Sequence, residues 1–150
     1  MSQSLAQIYV HLVYSTKDRE PWIRVPIRER VHAYLAEVSG TCGCPALLVG
    51  GTADHVHVLA RMGRTLAVAK WVEELKTSSS RCVKTMDPAC RGFAWQAGYG
   101  VFSVSASHVQ PVTSYIQGQR EHHRGRTFQD EYRAILKKNG VTYDERYVWN

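Results

Sequence analysis

Two short apolar runs flank a pair of glycines. "CPALLVGG" ends on Gly50-Gly51, and "DHVHVLARM" begins after Thr52 and Ala53. Runs of this kind around adjacent glycines read as two strands joined by a tight turn. With that hairpin fixed, the flanking segments have few topologies left. Before it stands "IYVHLVYS" (8–15), β-branched and aromatic, which reads as a strand. "VPIRERVHAYLAEVSG" follows, with Ile27, Val31, Tyr34, Leu35 and Val38 at helical spacing, Pro26 near its start and Gly40 after its end. After the hairpin, a second helix is predicted from Thr65 to about Met86. Thr65 is its expected N-cap, Leu66, Ala69, Val72 and Leu75 form its apolar stripe, and Ser78-Ser79-Ser80 is a place to fray or bend. "GYGVFSVSA" (98–106) reads as a fourth strand. The order β-α-β-β-α-β predicts an α+β protein built on a ferredoxin-like unit. Such a unit is a four-stranded antiparallel sheet with two helices on one face. Trp71 and Trp95 are expected in its core.

Residues 107–150 lie beyond the unit. They carry a helical stretch from about Pro111 to His123 and another from Phe128 to Asn139. The second has Thr127 and Asp130 as a capping pair, Phe128, Tyr132, Ile135 and Leu136 on one face, and Gly140 as its stop. The 150 residues fit one domain, 1–150, with no linker or repeat. No run of 18 apolar residues predicts a membrane span, and the N-terminus lacks a basic leader, so a cytoplasmic protein is expected. Nineteen Lys+Arg against 13 Asp+Glu give +6 and a pI near 9.3, which favours a polyanionic partner, nucleic acid first. The densest basic cluster, "QREHHRGR", groups Arg120, Arg124 and Arg126 around His122 and His123. Cys42, Cys44, Cys82 and Cys90 are spaced unlike the usual zinc pairs, and plain thiols are expected.

In a strand, His55 and His57 point to the same face, ~6–7 Å apart along the chain. They could converge on one metal ion, or be two polar residues on the wet side of a sheet. Val56 and Val58 suit the face covered by the two helices, leaving His55, His57 and Leu59 to whatever covers the other. Only the C-terminal helices remain for that. On the first of these, Tyr115 and Gln119 are four apart and share a face, which His122 continues. If that face meets the histidines, the site holds two imidazoles, an amide oxygen and a phenol. Such donors suit Mg2+ or Mn2+ with open positions for a phosphate oxygen. A phenol beside the ion could attack phosphorus and form a covalent intermediate. Asp54 could hydrogen-bond to a histidine or shape the turn, and the turn role is the expectation.

The chain resembles the single-tyrosine HUH transposases of the small insertion-sequence type and their REP-associated relatives. The resemblance rests on "GGTADHVHVLARM", "FAWQAGYGVFSVS", "VTSYIQGQREHH" and "TFQDEYRAIL", in that order. It implies that His55 and His57 are a metal pair, Gln119 the third ligand to a divalent Mg2+ or Mn2+, and Tyr115 the nucleophile. It also implies cleavage and rejoining of single-stranded DNA beside imperfect hairpins through a 5′-phosphotyrosine link. The partners implied are that DNA and a second copy, in a homodimer joined through the last strand with shared active sites. Arg120, Arg124 and Arg126 are candidates for DNA contact. Three alternatives stand beside this reading: a domesticated relative acting on chromosomal hairpin repeats, a non-catalytic nucleic-acid-binding module of the same fold, and a metal-dependent hydrolase that does not depend on Tyr115.

Overall fold

The computed structural model describes residues 2–119 and 125–150. Strand β1 (Tyr9–Ser15) leads to helix α1 (Val25–Thr41), strand β2 (Ala46–Gly51), strand β3 (His55–Arg61) and helix α2 (Val68–Met86). Strand β4 (Gly100–Val104), helix α3 (Val109–Gln117) and helix α4 (Phe128–Lys138) complete the order. The sheet is four-stranded in the order β2-β3-β1-β4, and every pairing is antiparallel. The expected ferredoxin-like architecture is therefore present. Among the described residues, no helix is long and apolar enough to cross a membrane.

Alternation divides the sheet into two faces. Val10, Leu12 and Tyr14 of β1 join Val56, Val58 and Ala60 of β3 under α1 and α2, which supply Ile27, Val31, Leu35, Trp71, Val72, Leu75 and Val83. Trp71 and Trp95 both belong to this core. Helix α2 differs from expectation in two places. It begins at Val68, because Ala67 is still extended and Leu66 turns toward the core, so Thr65 is not its cap. It also runs unbroken through the serines. Ser79 is buried, donates to the Leu75 carbonyl at 2.6 Å and accepts the Trp95 indole N–H at 2.9 Å, so the hydroxyl that could fray a helix is consumed inside one. All four cysteines are free thiols.

The other face is covered in two parts. α4 packs Phe128, Tyr132 and Leu136 on Val13 and Phe102, over the β1–β4 side. Thr127 caps this helix by accepting the Asp130 backbone N–H at 3.2 Å. α3 lies over the β2–β3 side. Its approach depends on Gly50, where a Cβ would stand 2.6 Å from Ile116 Cγ2 and 3.2 Å from the Ile116 carbonyl oxygen. Gly51, at φ +146, turns the hairpin so tightly that a Cβ would lie 2.2 Å from the His55 carbonyl oxygen. The histidine pair of β3 sits at the seam between α3 and α4.

Candidate metal and nucleophile site

Register places the polar residues of this face. Val13 stands opposite His57, Ser15 opposite His55 and His11 opposite Leu59. His11 is thus the diagonal same-face neighbour of His57. α3 brings Tyr115 and, just past its end, Gln119. α4 brings Glu131 between Phe128 and Tyr132. His55 and His57 are fully buried, and Gln119 and Glu131 are nearly so.

His55 Nε2 lies 3.0 Å from Gln119 Oε1, and His57 Nε2 lies 3.0 Å from Glu131 Oε1. The second Glu131 oxygen is 3.6 Å from His55 Nε2. One donor atom from each of His55, His57 and Glu131 falls within 4.8 Å of the others. Neighbouring donors around a six-coordinate ion with ~2.1 Å bonds stand about 3.0 Å apart, so the two shortest separations match such an ion. His57 Nε2 is buried without an aligned hydrogen bond, despite its closeness to the carboxylate. It aims at the same centre.

The outer nitrogens are held as well. His55 Nδ1 is 2.8 Å from Asp54 Oδ1 and 3.0 Å from Thr52 Oγ1. Asp54 therefore binds the histidine ring as well as standing at the turn, which corrects the expectation from sequence. With the Nδ1–H donating to the Asp54 carboxylate, His55 Nε2 presents a lone pair to the Gln119 carbonyl oxygen. Two acceptors then face each other, an arrangement that a cation reconciles. His57 Nδ1 is 2.8 Å from His11 Nε2, and the two rings stack with centroids 5.0 Å apart. Burial lowers the His57 pKa. It also lowers that of His11, which the neighbouring His57 helps to bring to about 3, so both rings are neutral at ordinary pH.

Tyr115 stands over this cluster, its ring 5.8 Å from that of His57, and its hydroxyl donates to Glu131. Burial, and then the Glu131 carboxylate, push the phenol well above its usual range. For Glu131, burial alone would raise the pKa. The close approach of His57, then His55 and the donated Tyr115 hydroxyl, outweighs burial and holds the carboxylate ionised. The set is one carboxylate, two imidazoles and an amide oxygen around a buried point. A divalent cation would more than offset the single negative charge and draw the phenol back toward ionisation.

The four main residues anticipated from sequence, His55, His57, Gln119 and Tyr115, come together in one chain. Within the chain, α3 and the residue just past it meet the histidines of β3. Arg126 lines a cavity of about 520 Å³ that also borders Tyr115, Glu131 and His11. Arg120, Arg124, His122 and His123 lie outside the described residues. Glu131 and His11 were not anticipated. Each had a signal: a carboxylate at the i+3 position of a buried helical stripe, and a histidine on the alternation that β1 shares with Val13.

A family model described as "Transposase IS200 like" matches residues 4–119. Among solved structures, a candidate transposase from Deinococcus radiodurans R1 superposes with a TM-score of 0.62 at 21% identity, covering 79% of this chain and 98% of its own. A REP-associated tyrosine transposase bound to a REP hairpin superposes with a TM-score of 0.60 at 11% identity, covering 100% of this chain and 92% of its own. No curated protein matches the sequence.

Proposed function

The chain belongs to the IS200-like transposase family, and from that premise we propose that it cuts and rejoins single-stranded DNA beside imperfect hairpins through a covalent bond to Tyr115. The observation that carries this reading is the meeting of Tyr115 with His55, His57, Gln119 and Glu131 in one buried cluster. A structural neighbour bound to a REP hairpin supports the substrate class.

His55, His57 and Glu131, with Gln119, would hold Mg2+ or Mn2+. When bound, the ion supplies Lewis-acid polarisation of the scissile phosphate. The chain's own groups do the rest. Glu131 orients the phenol by accepting its proton in a hydrogen bond. As Tyr115 Oη bonds to phosphorus, that proton passes to Glu131, the P–O3′ bond breaks, and the leaving 3′ oxygen takes a proton from solvent water. The 5′-phosphotyrosine keeps the energy of the phosphodiester. A 3′-hydroxyl can then attack it, returning the proton to Tyr115 and restoring a DNA strand without any nucleotide cofactor. Arg126, at the cavity beside Tyr115, is placed to meet a DNA phosphate.

β4 ends the sheet, so its outer edge is open to a second copy, and a homodimer through it fits the reading. Each copy would then carry a complete site. Mixing His57→Ala and Tyr115→Phe proteins should restore no cleavage, and restored cleavage would show that Tyr115 serves the partner.

The test uses end-labelled single-stranded DNA from the sequence flanking the gene, hairpins included, with Mg2+ or Mn2+. A protein–DNA adduct that is lost in Tyr115→Phe and in His57→Ala is expected. Cutting that survives Tyr115→Phe would mean hydrolysis by water. Tight binding without cutting of a verified substrate would leave only a binding module.

A further inference from the structure

We propose that His11 is the positioning residue that makes His57 a metal ligand, by accepting a hydrogen bond from the N–H that His57 must carry on Nδ1. This rests on the metal reading above and adds to it a residue on a different strand.

A neutral imidazole bears one proton, on either nitrogen. His57 can offer Nε2 to an ion only if the proton is on Nδ1. That nitrogen is sealed: His57 is fully buried, and the atom 2.8 Å from Nδ1 is His11 Nε2. Water cannot take the hydrogen bond, so His11 has to, with its own proton on Nδ1. The tautomers of the two rings are therefore locked in series. Without the acceptor, His57 either buries an unsatisfied N–H or moves the proton to Nε2, where it faces the ion.

The two histidines are supported unequally. His55 has a carboxylate behind it, Asp54 at 2.8 Å, and a threonine hydroxyl at 3.0 Å. His57 has one uncharged ring behind it. The sheet explains the difference. Asp54 precedes β3 in the hairpin turn, where the side chain of Asp54 is partly exposed. His57 lies deeper, alongside central strand β1, where a second carboxylate would be buried beside Glu131. A neutral acceptor orients the ring there without adding a buried charge.

The test is divalent-ion binding, which needs no DNA. Mn2+ titrated calorimetrically into the wild type, His11→Phe and His11→Gln separates acceptor from packing. Phe keeps a ring against His57 and Tyr115 but accepts nothing, whereas Gln offers a carbonyl oxygen. Outer hydrogen-bond partners of metal ligands typically contribute 10–100-fold in affinity, so His11→Phe should weaken Mn2+ binding by about that factor and His11→Gln should recover most of it. Nitrogen-15 spectra of the Mg2+-loaded wild type should show the His57 proton on Nδ1 and a bare Nε2 on His11. Wild-type affinity in His11→Phe overturns the inference. So does a His11→Gln variant as weak as His11→Phe at unchanged melting temperature, since ring shape would then be the cause. A wild type that binds no Mn2+ overturns the metal reading itself, and this inference with it.

Discussion

Replacing Tyr115 by phenylalanine removes the proposed nucleophile, and it should also destabilise the protein. The phenol donates to Glu131, a carboxylate only 1% exposed that also faces both imidazoles. A hydrogen bond to a charged acceptor contributes about 1.5–3 kcal/mol. Tyr115 is itself half-buried and borders the cavity, so solvent screens part of that, and the lower half of the range, about 1.5–2 kcal/mol, is expected. For a chain of this size ~1 kcal/mol moves the melting temperature by about 2–4 °C, which predicts a fall of about 3–8 °C. Denaturant unfolding with a chelator present, on wild type, Tyr115→Phe, Glu131→Gln and the double variant, isolates the coupling. It should equal most of the Tyr115→Phe loss. The pH dependence follows from Glu131, whose pKa is held below its ordinary value in the fold. Its contribution is complete above the unfolded carboxylate pKa near ~4.3 and is lost as pH falls toward the folded value. The gap between wild type and Tyr115→Phe should therefore narrow below about pH 4. No gap at neutral pH, or one that widens in acid, would refute the carboxylate as the phenol's partner.

Three further outcomes are expected. Asp54→Ala should weaken Mn2+ binding by about 10–100-fold and Asp54→Asn by less, since the amide still accepts from His55 Nδ1; unchanged calorimetric affinity in both would remove Asp54 from the site. Gly50→Ala puts a Cβ 2.6 Å from Ile116 Cγ2 and should cost about 1–3 kcal/mol while lowering adduct formation, because the residue displaced adjoins Tyr115; normal stability and activity together would show that α3 can shift freely. Burial, with His57 acting on one ring and Arg28 on the other, holds His11 to about 3 and His32 to about 4, and burial lowers His57 too. These depressed values give stability that is complete above the unfolded pKa near ~6.5 and is lost as pH falls below it, by up to about 1.4 kcal/mol per pH unit for each ring. Unfolding free energy that stays flat from pH 7 to 5 in metal-free protein would contradict this.

The fold was largely legible because its signals are local. A glycine turn between two short apolar runs, flanked by helical spacing on both sides, leaves little but a split β-α-β arrangement. The misreadings were places where tertiary packing overrides local preference. Thr65 has the chemistry of a cap, but Leu66 is drawn toward the core and the helix starts later. Ser79 has the chemistry of a helix breaker, but Trp95 needs its hydroxyl. Strand alternation turns His55 and His57 to one face, and helical spacing does the same for Tyr115 and Gln119. Neither period tells which residue of another element stands across the gap. Glu131 and His11 were missed for that reason: each is defined by a partner on a different element.

The family match ends at Gln119 and Glu131 lies twelve residues further on, so the one carboxylate facing both histidines stands outside the matched segment. Two imidazoles and an amide oxygen would hold a divalent ion with no negative ligand, and a phenol beside them would face only that ion. α4 changes both conditions with one side chain. Its apolar residues Phe128, Tyr132 and Leu136 fix the helix on Val13 and Phe102, and the same helical turn then drives a carboxylate between the histidines and the phenol. The hydrophobic stripe is thus what carries a charge into a buried position, where an unpaired carboxylate would be costly and where a cation and a donated phenol hydrogen bond make it tolerable. Weakening the stripe away from the site, as in Leu136→Ala, should on these grounds lower ion affinity together with stability. A variant that loses the usual 2–5 kcal/mol of a core leucine yet binds Mn2+ as the wild type does would show that Glu131 is held by the site and not by its helix.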